Sequence, residues 1–445
     1  MCINKFKLRE NVFITSIFVI ILEYQLSFVH TFLFDRIIKI VFIAILIIFF
    51  KNIRDNKKNI YIQRVTKIYL AIFFVMIVST VANLSVLSVS FLIRYSLLLL
   101  IVFILLYKVH PYYFSDRIIK FVILIGVAFS LSSIVLWILV FLGFEPHYFN
   151  ISSERFTRID KFSYLWGDLH YAFSGGGIGG FTRVCSFFET PNRYGNFLIF
   201  PIFVSYGYFV LKRRFIYLIA CVLCSVVMFL TLSLTIFLVV MAAILLSIFF
   251  TMVCKIKEFK MVPNLAGFGG LILALILMIC IFEFYQIQYE KGDSPVFRGG
   301  EYKTLFRAFS QQKEAFIPKI ERPFGEGLAY MKNGKLYTSQ YGFVRWVVLL
   351  GYPGLICFII FITYMFQVHV FPALIHRPLR IEYYVALAFF AQTISGIEEG
   401  SWLSTNYLFT TAILVLLKKY EFKERKRFHC VRRLERVKMK MRPPY

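Results

Sequence analysis

The residues best suited to chemistry in this sequence are arginines, and they gather in two places. Between Gly179 and Pro201 the chain reads GGFTRVCSFFETPNRYGNFLIFP, which sets Arg183, Glu189, the turn pair Pro191-Asn192 and Arg193 just ahead of a hydrophobic run beginning at Phe197. Much later come Arg298, Arg307, Arg322 and Arg345, with Pro323-Phe324-Gly325-Glu326-Gly327 and Tyr341 among them. A guanidinium group is planar, donates bidentate hydrogen bonds to phosphate oxygens and stays charged at any working pH. A single arginine at a membrane edge is more often a snorkelling anchor. Arginines drawn from two separate segments shift the balance toward a shared site, one that would suit a phosphate-bearing ligand if the substrate carries one.

The elements that must position them are set by composition. The chain has 445 residues, of which 59% are hydrophobic and 19% aromatic, with a mean hydropathy of +0.72. A soluble domain with a polar surface could hardly sustain such values, so a polytopic all-α membrane protein is expected. A bilayer core of ~30 Å takes about 20 apolar residues as helix. On that measure the sequence divides into about twelve runs, roughly at 12–33, 37–50, 67–84, 91–107, 119–143, 196–211, 215–232, 235–253, 262–283, 343–366, 382–396 and 404–417. The N-terminal MCINKFKLRE leads into the first run without a small-residue cleavage site and reads as the start of a retained helix.

Charge tests this division independently. The net charge of +26, from 50 Lys and Arg against 24 Asp and Glu, would suggest nucleic acid in a soluble protein. Here most of the cations fall in every second connection, around Lys5–Arg9, Lys51–Lys67, Lys108–Lys120, Lys212–Arg214, Lys255–Lys260 and Arg377–Arg380, and in the tail 418–445. That is the bias of cytoplasmic loops, and it predicts both termini inside and no nucleic-acid partner. The basic tail is most simply an anchor on anionic membrane lipid. Docking to a chain-length regulator is an alternative for it.

Two connections, 144–195 and 284–342, are too long to be turns and fall on the outer side. Loops of this length usually carry function or are disordered, and the aromatic residues here suggest short amphipathic helices against the membrane surface, most clearly over 301–316. The chain therefore reads as one integral domain, 1–445, with two long outer loops and a basic tail. Gly175-Gly176-Gly177 and Gly179-Gly180 lack the following Lys-Ser/Thr of a nucleotide-binding loop and read as a flexible lid. The single C-x-x-C, Cys221 to Cys224, lies in an apolar run without other ligands, so no metal site is expected. Arg94 and Glu23 fall inside apolar runs, where charge is costly unless paired or facing a cavity; Arg94 could serve a phosphate ligand. Glu398 and Glu399 fall in a short outer turn.

Arg183, a few apolar residues, then Phe188-x-x-Pro191-Asn192 opening a helix resembles the entrance helix of the O-antigen polymerase and O-antigen ligase family. The later order Arg307, Ala315, Gly325-x-Gly327, Tyr341 and a helix carrying Gly351-x-x-Gly354 looks like that family's second signature, so the likeness spans about 179–356. It departs in two places. Ligases typically carry His-Asn where this chain has Ser339-Gln340, which favours the polymerase; and the Ser-Arg that often follows the seventh helix is Ser233-Leu234 here. The resemblance implies a metal-independent, cofactor-free, inverting glycosyl transfer at the outer face of a bacterial inner membrane. A sugar hydroxyl of one lipid-linked unit attacks the anomeric carbon of a chain on undecaprenyl pyrophosphate. In that scheme Arg183 and Arg307 are catalytic, with Glu189, Asp168, His170, Glu301 and Glu326 open as general base. Asn192, Arg193, Arg94, Gly325, Gly327, Arg322, Tyr341 and Arg345 would bind substrate. A ligase and a lipid-linked oligosaccharide flippase are the competing expectations; a flippase usually concentrates charge at mid-membrane between repeats, and no repeat is visible here.

Overall fold

In a computed structural model of the chain, the residues described are 59–108, 111–142, 184, 191–231, 233–255, 322–328, 331–332, 335–336, 342–375, 380–399 and 407–418. They are almost wholly helical. In order they form α1 (Ile60–Ala82), α2 (Val86–Lys108), α3 (Pro111–Phe141), α4 (Pro191–Lys212), α5 (Phe215–Leu230), α6 (Leu234–Lys255) and α7 (Gly342–Met365). A π-helical turn (Phe366–Val370), α8 (Phe371–Ile375) and α9 (Ile381–Glu399) follow, then α10 (Tyr407–Lys418). The strands β1 (Met331–Lys332) and β2 (Lys335–Leu336) form a small antiparallel hairpin in register Met331 to Leu336. The runs expected at 12–33, 37–50 and 262–283 lie outside the described residues, as does the amphipathic segment 301–316.

Several helices begin earlier than hydropathy alone indicates, because capping chemistry sets the boundary. The Asn59 side chain accepts the Tyr61 amide at 2.9 Å, so α1 starts at Ile60 and takes Arg64 and Lys67 into its first turns. Ser85 Oγ accepts the Ser88 amide at 3.0 Å and starts α2. Both α3 and α4 open on proline, which has no amide hydrogen to lose at the first helical position. Asn192 and Arg193 therefore stand in the first turn of a helix and not in the preceding loop. At its other edge α9 runs through Glu398 and Glu399, which were expected in a turn.

Helix α1 runs antiparallel to α7 and the π-helical turn that continues it, which gives the described bundle two ends. Tyr61 meets His369 at one, with ring centroids 5.9 Å apart, and Ser79 bonds Leu349 at the other. The first end carries Arg64, Lys67, Lys212, Arg213, Arg214, Arg380 and Lys418, and is called the cationic end below. The opposite, far end holds the starts of α4, α6 and α7.

Helix α4 is the centre of the assembly, packing against α3, α5, α6 and α9. Where no water drives helices together, association depends on close van der Waals contact, which small residues permit. Three glycines provide it. A Cβ on Gly126 of α3 would sit 2.7 Å from Pro201 of α4, one on Gly195 would meet Ile236 of α6 at 3.0 Å, and one on Gly207 would meet the Tyr384 ring of α9 at 2.4 Å. Cys224, in α5, is buried beside Ser130 of α3, whose hydroxyl lies 3.6 Å from its sulfur.

The outward face of α5 is apolar throughout, with Phe215, Ile216, Ile219, Val222, Val226 and Phe229 exposed. Such a stripe would be an aggregation surface in water and is ordinary against lipid. Among the described residues, four helical segments, Ile60–Ala82, Arg117–Val135, Asn192–Lys212 and Trp346–Leu374, are long and apolar enough to cross a membrane. The described residues are thus those of a helical membrane protein.

Candidate functional site

The far end contains a broken helix. Gly351 leaves α7 with φ 65° and ψ −161°, a region open essentially to glycine alone, and Pro353 follows two residues later with no amide to donate. In an unbroken helix Val348 and Leu349 would receive hydrogen bonds from residues 352 and 353. Here the segment 322–328 supplies what the break removes. Glu326 N–H donates to Val348 O at 2.7 Å, Gly327 N–H donates to Leu349 O at 3.2 Å, and Tyr352 N–H turns away to Pro323 O at 3.2 Å. Ser79 of α1 gives Leu349 O a further bond at 2.7 Å. Asn83 completes the joint, its amide donating to Gly325 O and to Ser79 O, each at 3.1 Å. In an apolar helical bundle, irregular backbone is tolerated where it is buried in protein that satisfies it, as here, or lines a water-filled cavity.

The glycines of 322–328 follow from that approach. Gly325 and Gly327 have φ of 76° and 91°. A Cβ on Gly325 would lie 2.6 Å from Gly351 N, and one on Gly327 would lie 2.7 Å from Asn83 Cβ. Gly354, one turn beyond the break, leaves room for Leu350, whose Cβ lies 2.3 Å from where its own would stand. Gly325, Gly327 and Gly351 thus belong to one backbone junction, with Gly354 making room for a side chain of its own helix beside it.

Charge is attached to this junction through Arg322 and Glu326. They form an ion pair in which the arginine side chain is 56% exposed and the carboxylate only 4%. The carboxylate faces protein while the guanidinium reaches outward. On the other side of the far end, Val184 is buried and donates its amide to Leu230 O at 3.1 Å, capping the last turn of α5. Asn192 is half-buried and Arg193 exposed in the first turn of α4.

The structure accordingly brings Gly325, Gly327 and Arg322 together with Gly351, and places Asn192 and Arg193 at the same end of the bundle across α9, which packs against both α4 and α7. Arg94 lies within α2 and Arg345 within the first turn of α7. Arg183, Glu189, Arg307 and Tyr341 lie outside the described residues, as do Asp168, His170 and Glu301. Among the described residues no group of three His, Cys, Asp or Glu is placed to hold a metal ion.

The single run expected over 343–366 is broken at Gly351, and Gly351-Tyr352-Pro353 is a breaker signal in its own right. Ser79 and Asn83 carry no such signal, because a serine near a helix end looks the same whether or not a distant carbonyl needs it. Their contribution is testable. Ser79→Ala should lower stability by about 1 kcal/mol, seen as a fall in Tm of the detergent-solubilised protein. Thr80→Ala should change it less, since that hydroxyl only returns to Met76 O of its own helix, at 2.8 Å.

No protein-family model, curated protein or solved structure matches the chain.

Proposed function

We propose that this protein polymerises lipid-linked oligosaccharide repeat units at the outer face of a bacterial cytoplasmic membrane. A glycan chain passes from undecaprenyl pyrophosphate to a sugar hydroxyl of another lipid-linked unit, which makes the protein an inverting glycosyltransferase of O-antigen or capsule biosynthesis. The observation that carries the reading is the gathering of arginine-bearing segments at one end of an apolar helical bundle. Arg322 is fixed there by a backbone junction and Arg193 by a helix start. The reading has twelve membrane helices and both termini in the cytoplasm. In its favour, Arg64, Lys67, Lys212, Arg213, Arg214, Arg380 and Lys418 lie at the opposite end, although Arg345 in the first turn of α7 is a further cation at the far end.

In this scheme Arg183 and Arg307 grip the pyrophosphate. As the anomeric bond breaks, negative charge grows on the bridging oxygen, so prepositioned guanidinium donors stabilise the transition state more than the ground state. A carboxylate takes the proton of the attacking hydroxyl, with Glu189 assigned that role. Replacing Arg183 or Arg307 with Ala should leave the protein inserted and cut the rate about a hundredfold, the worth of roughly 3 kcal/mol of transition-state stabilisation. Lys should rescue poorly because it keeps the charge and loses the fork. Glycan analysis of the variant strains separates the alternatives. Loss of polymerisation leaves single repeat units attached to their acceptor, whereas polymer stranded on the lipid carrier would mark a ligase and single units trapped inside a flippase. Polymer at the wild-type level in both Ala strains would remove these arginines from the mechanism.

A further inference from the structure

At the far end, the seam between α4 and α9 buries polar atoms that the fold leaves unused. Gln392 of α9 is 1% exposed and Ser395, one turn further along the same face, is 0% exposed. The Gln392 amide nitrogen donates to Asn196 O of α4 at 3.4 Å, which turns the side chain onto the first turns of that helix. Its Oε1 has no hydrogen-bond partner, and neither has Ser395 Oγ. Ser233, just before α6, is 6% exposed and its hydroxyl too has no partner. Neighbouring polar groups are differently placed: Tyr194 OH lies 3.0 Å from Ser133 Oγ, and Thr393 Oγ1 lies 3.1 Å from Tyr407 OH.

Leaving a buried donor or acceptor unsatisfied is costly, and polar side chains inside a membrane bundle commonly mark a substrate path. We infer that the α4–α9 seam, through Gln392 Oε1 and Ser395 Oγ, binds a neutral, hydroxyl-rich group, namely a sugar ring of the lipid-linked glycan. The chemistry selects this class. A carbonyl oxygen accepts and a serine hydroxyl both donates and accepts, which complements sugar hydroxyls. No charged side chain among the described residues is buried in the seam to neutralise a phosphate, while Arg193 stands exposed at the start of α4. The identity of the glycan's carrier rests on the polymerase reading; the preference for a neutral hydroxylated group does not.

The test uses the full-length protein in lipid nanodiscs with two probes, a lipid-linked oligosaccharide preparation from the host strain and sugar-free undecaprenyl pyrophosphate. The double variant Gln392→Leu/Ser395→Ala should keep or raise the Tm of the ligand-free protein, because two unsatisfied groups are gone. It should bind the oligosaccharide lipid at least about tenfold more weakly and the sugar-free lipid as the wild type does. Ser395→Val, which fills the seam and keeps Gln392, should show the same selective loss and stands in if the double variant fails to fold. Equal binding of the oligosaccharide lipid by variants and wild type would mean the seam holds only water and would overturn the proposal. Parallel loss of both probes, or a wild type that does not distinguish them, would also overturn it. The two readings fail separately. Sugar-selective binding that depends on Gln392, in a protein whose Arg183 and Arg307 variants still make polymer, would sink the polymerase and keep the seam; the reverse pattern would keep the polymerase and sink the seam.

Discussion

Gly351→Ala is expected to dismantle the junction at the far end. At φ 65° and ψ −161° an alanine is strained whatever surrounds it, at about 1–3 kcal/mol. Its Cβ would also stand 2.0 Å from Pro323 O, a backbone atom that cannot swing aside. Either response releases the partner segment. If residue 351 turns helical, Tyr352 N–H returns to Val348 O and displaces Glu326. If 322–328 withdraws, Val348 O loses its bond and Leu349 O keeps only the one from Ser79. The total should exceed about 3 kcal/mol, above the usual range for a single substitution. Thermal unfolding of the detergent-solubilised protein should show it as a large fall in Tm. On the function proposed above, polymer should be lost as well, although no arginine has been touched. A Tm within a degree or so of wild type would mean that the break is not held as described.

The second large effect should come from Gly207→Leu, toward the cationic end of the α4–α9 contact. A Cβ at this position lies 2.4 Å from Tyr384 Cδ2 and 2.5 Å from its Cγ. These atoms are close to the α9 backbone, so the ring cannot clear the contact by bending at its tip. Nor is the ring free to rotate. It meets Tyr206 at 5.9 Å and Tyr383 at 5.2 Å between centroids, and the Tyr383 hydroxyl is hydrogen-bonded to Ser247 of α6. Even alanine here should cost roughly 1–3 kcal/mol by overpacking. Leucine should separate α4 from α9 and leave little folded protein in the membrane fraction. The cause can be isolated by a double-mutant cycle, because Gly207→Ala should be less damaging in a Tyr384→Ala background.

What could be read from the sequence differs sharply between helices and site. Hydropathy located the described helices because lipid solvation acts on whole runs of residues, and an error of several positions does not hide a run. Their starts were harder: Asn59, Ser85, Pro111 and Pro191 act through single hydrogen bonds or a missing one, and these moved the boundaries by up to eight residues, from 119 to Pro111 in α3. At the candidate site, the glycines 325, 327, 351 and 354 stood out by their spacing. The common purpose of the first three did not, since it depends on a carbonyl orphaned by Pro353 and on a donor in α1. Gln392 and Ser395 passed unnoticed inside an apolar run, because one amide and one hydroxyl scarcely alter its hydropathy. Only three-dimensional packing shows that Gln392 reaches α4 and that its Oε1 and the Ser395 hydroxyl are buried without a partner.

The broken helix also bears on how the molecule is made. Ser79 and its acceptor Leu349 are 270 positions apart in the chain, and Asn83 and Gly325 are 242 apart. While the ribosome is still translating the intervening residues, the end of α1 must wait in the bilayer with its polar side chains uncommitted. When α7 emerges, its two halves cannot be fully hydrogen-bonded until 322–328 folds back over Gly351. The joint is therefore a late event in biogenesis, closed only after most of the protein has been threaded into the membrane. Closing it ties one of the earliest described helices to one of the latest.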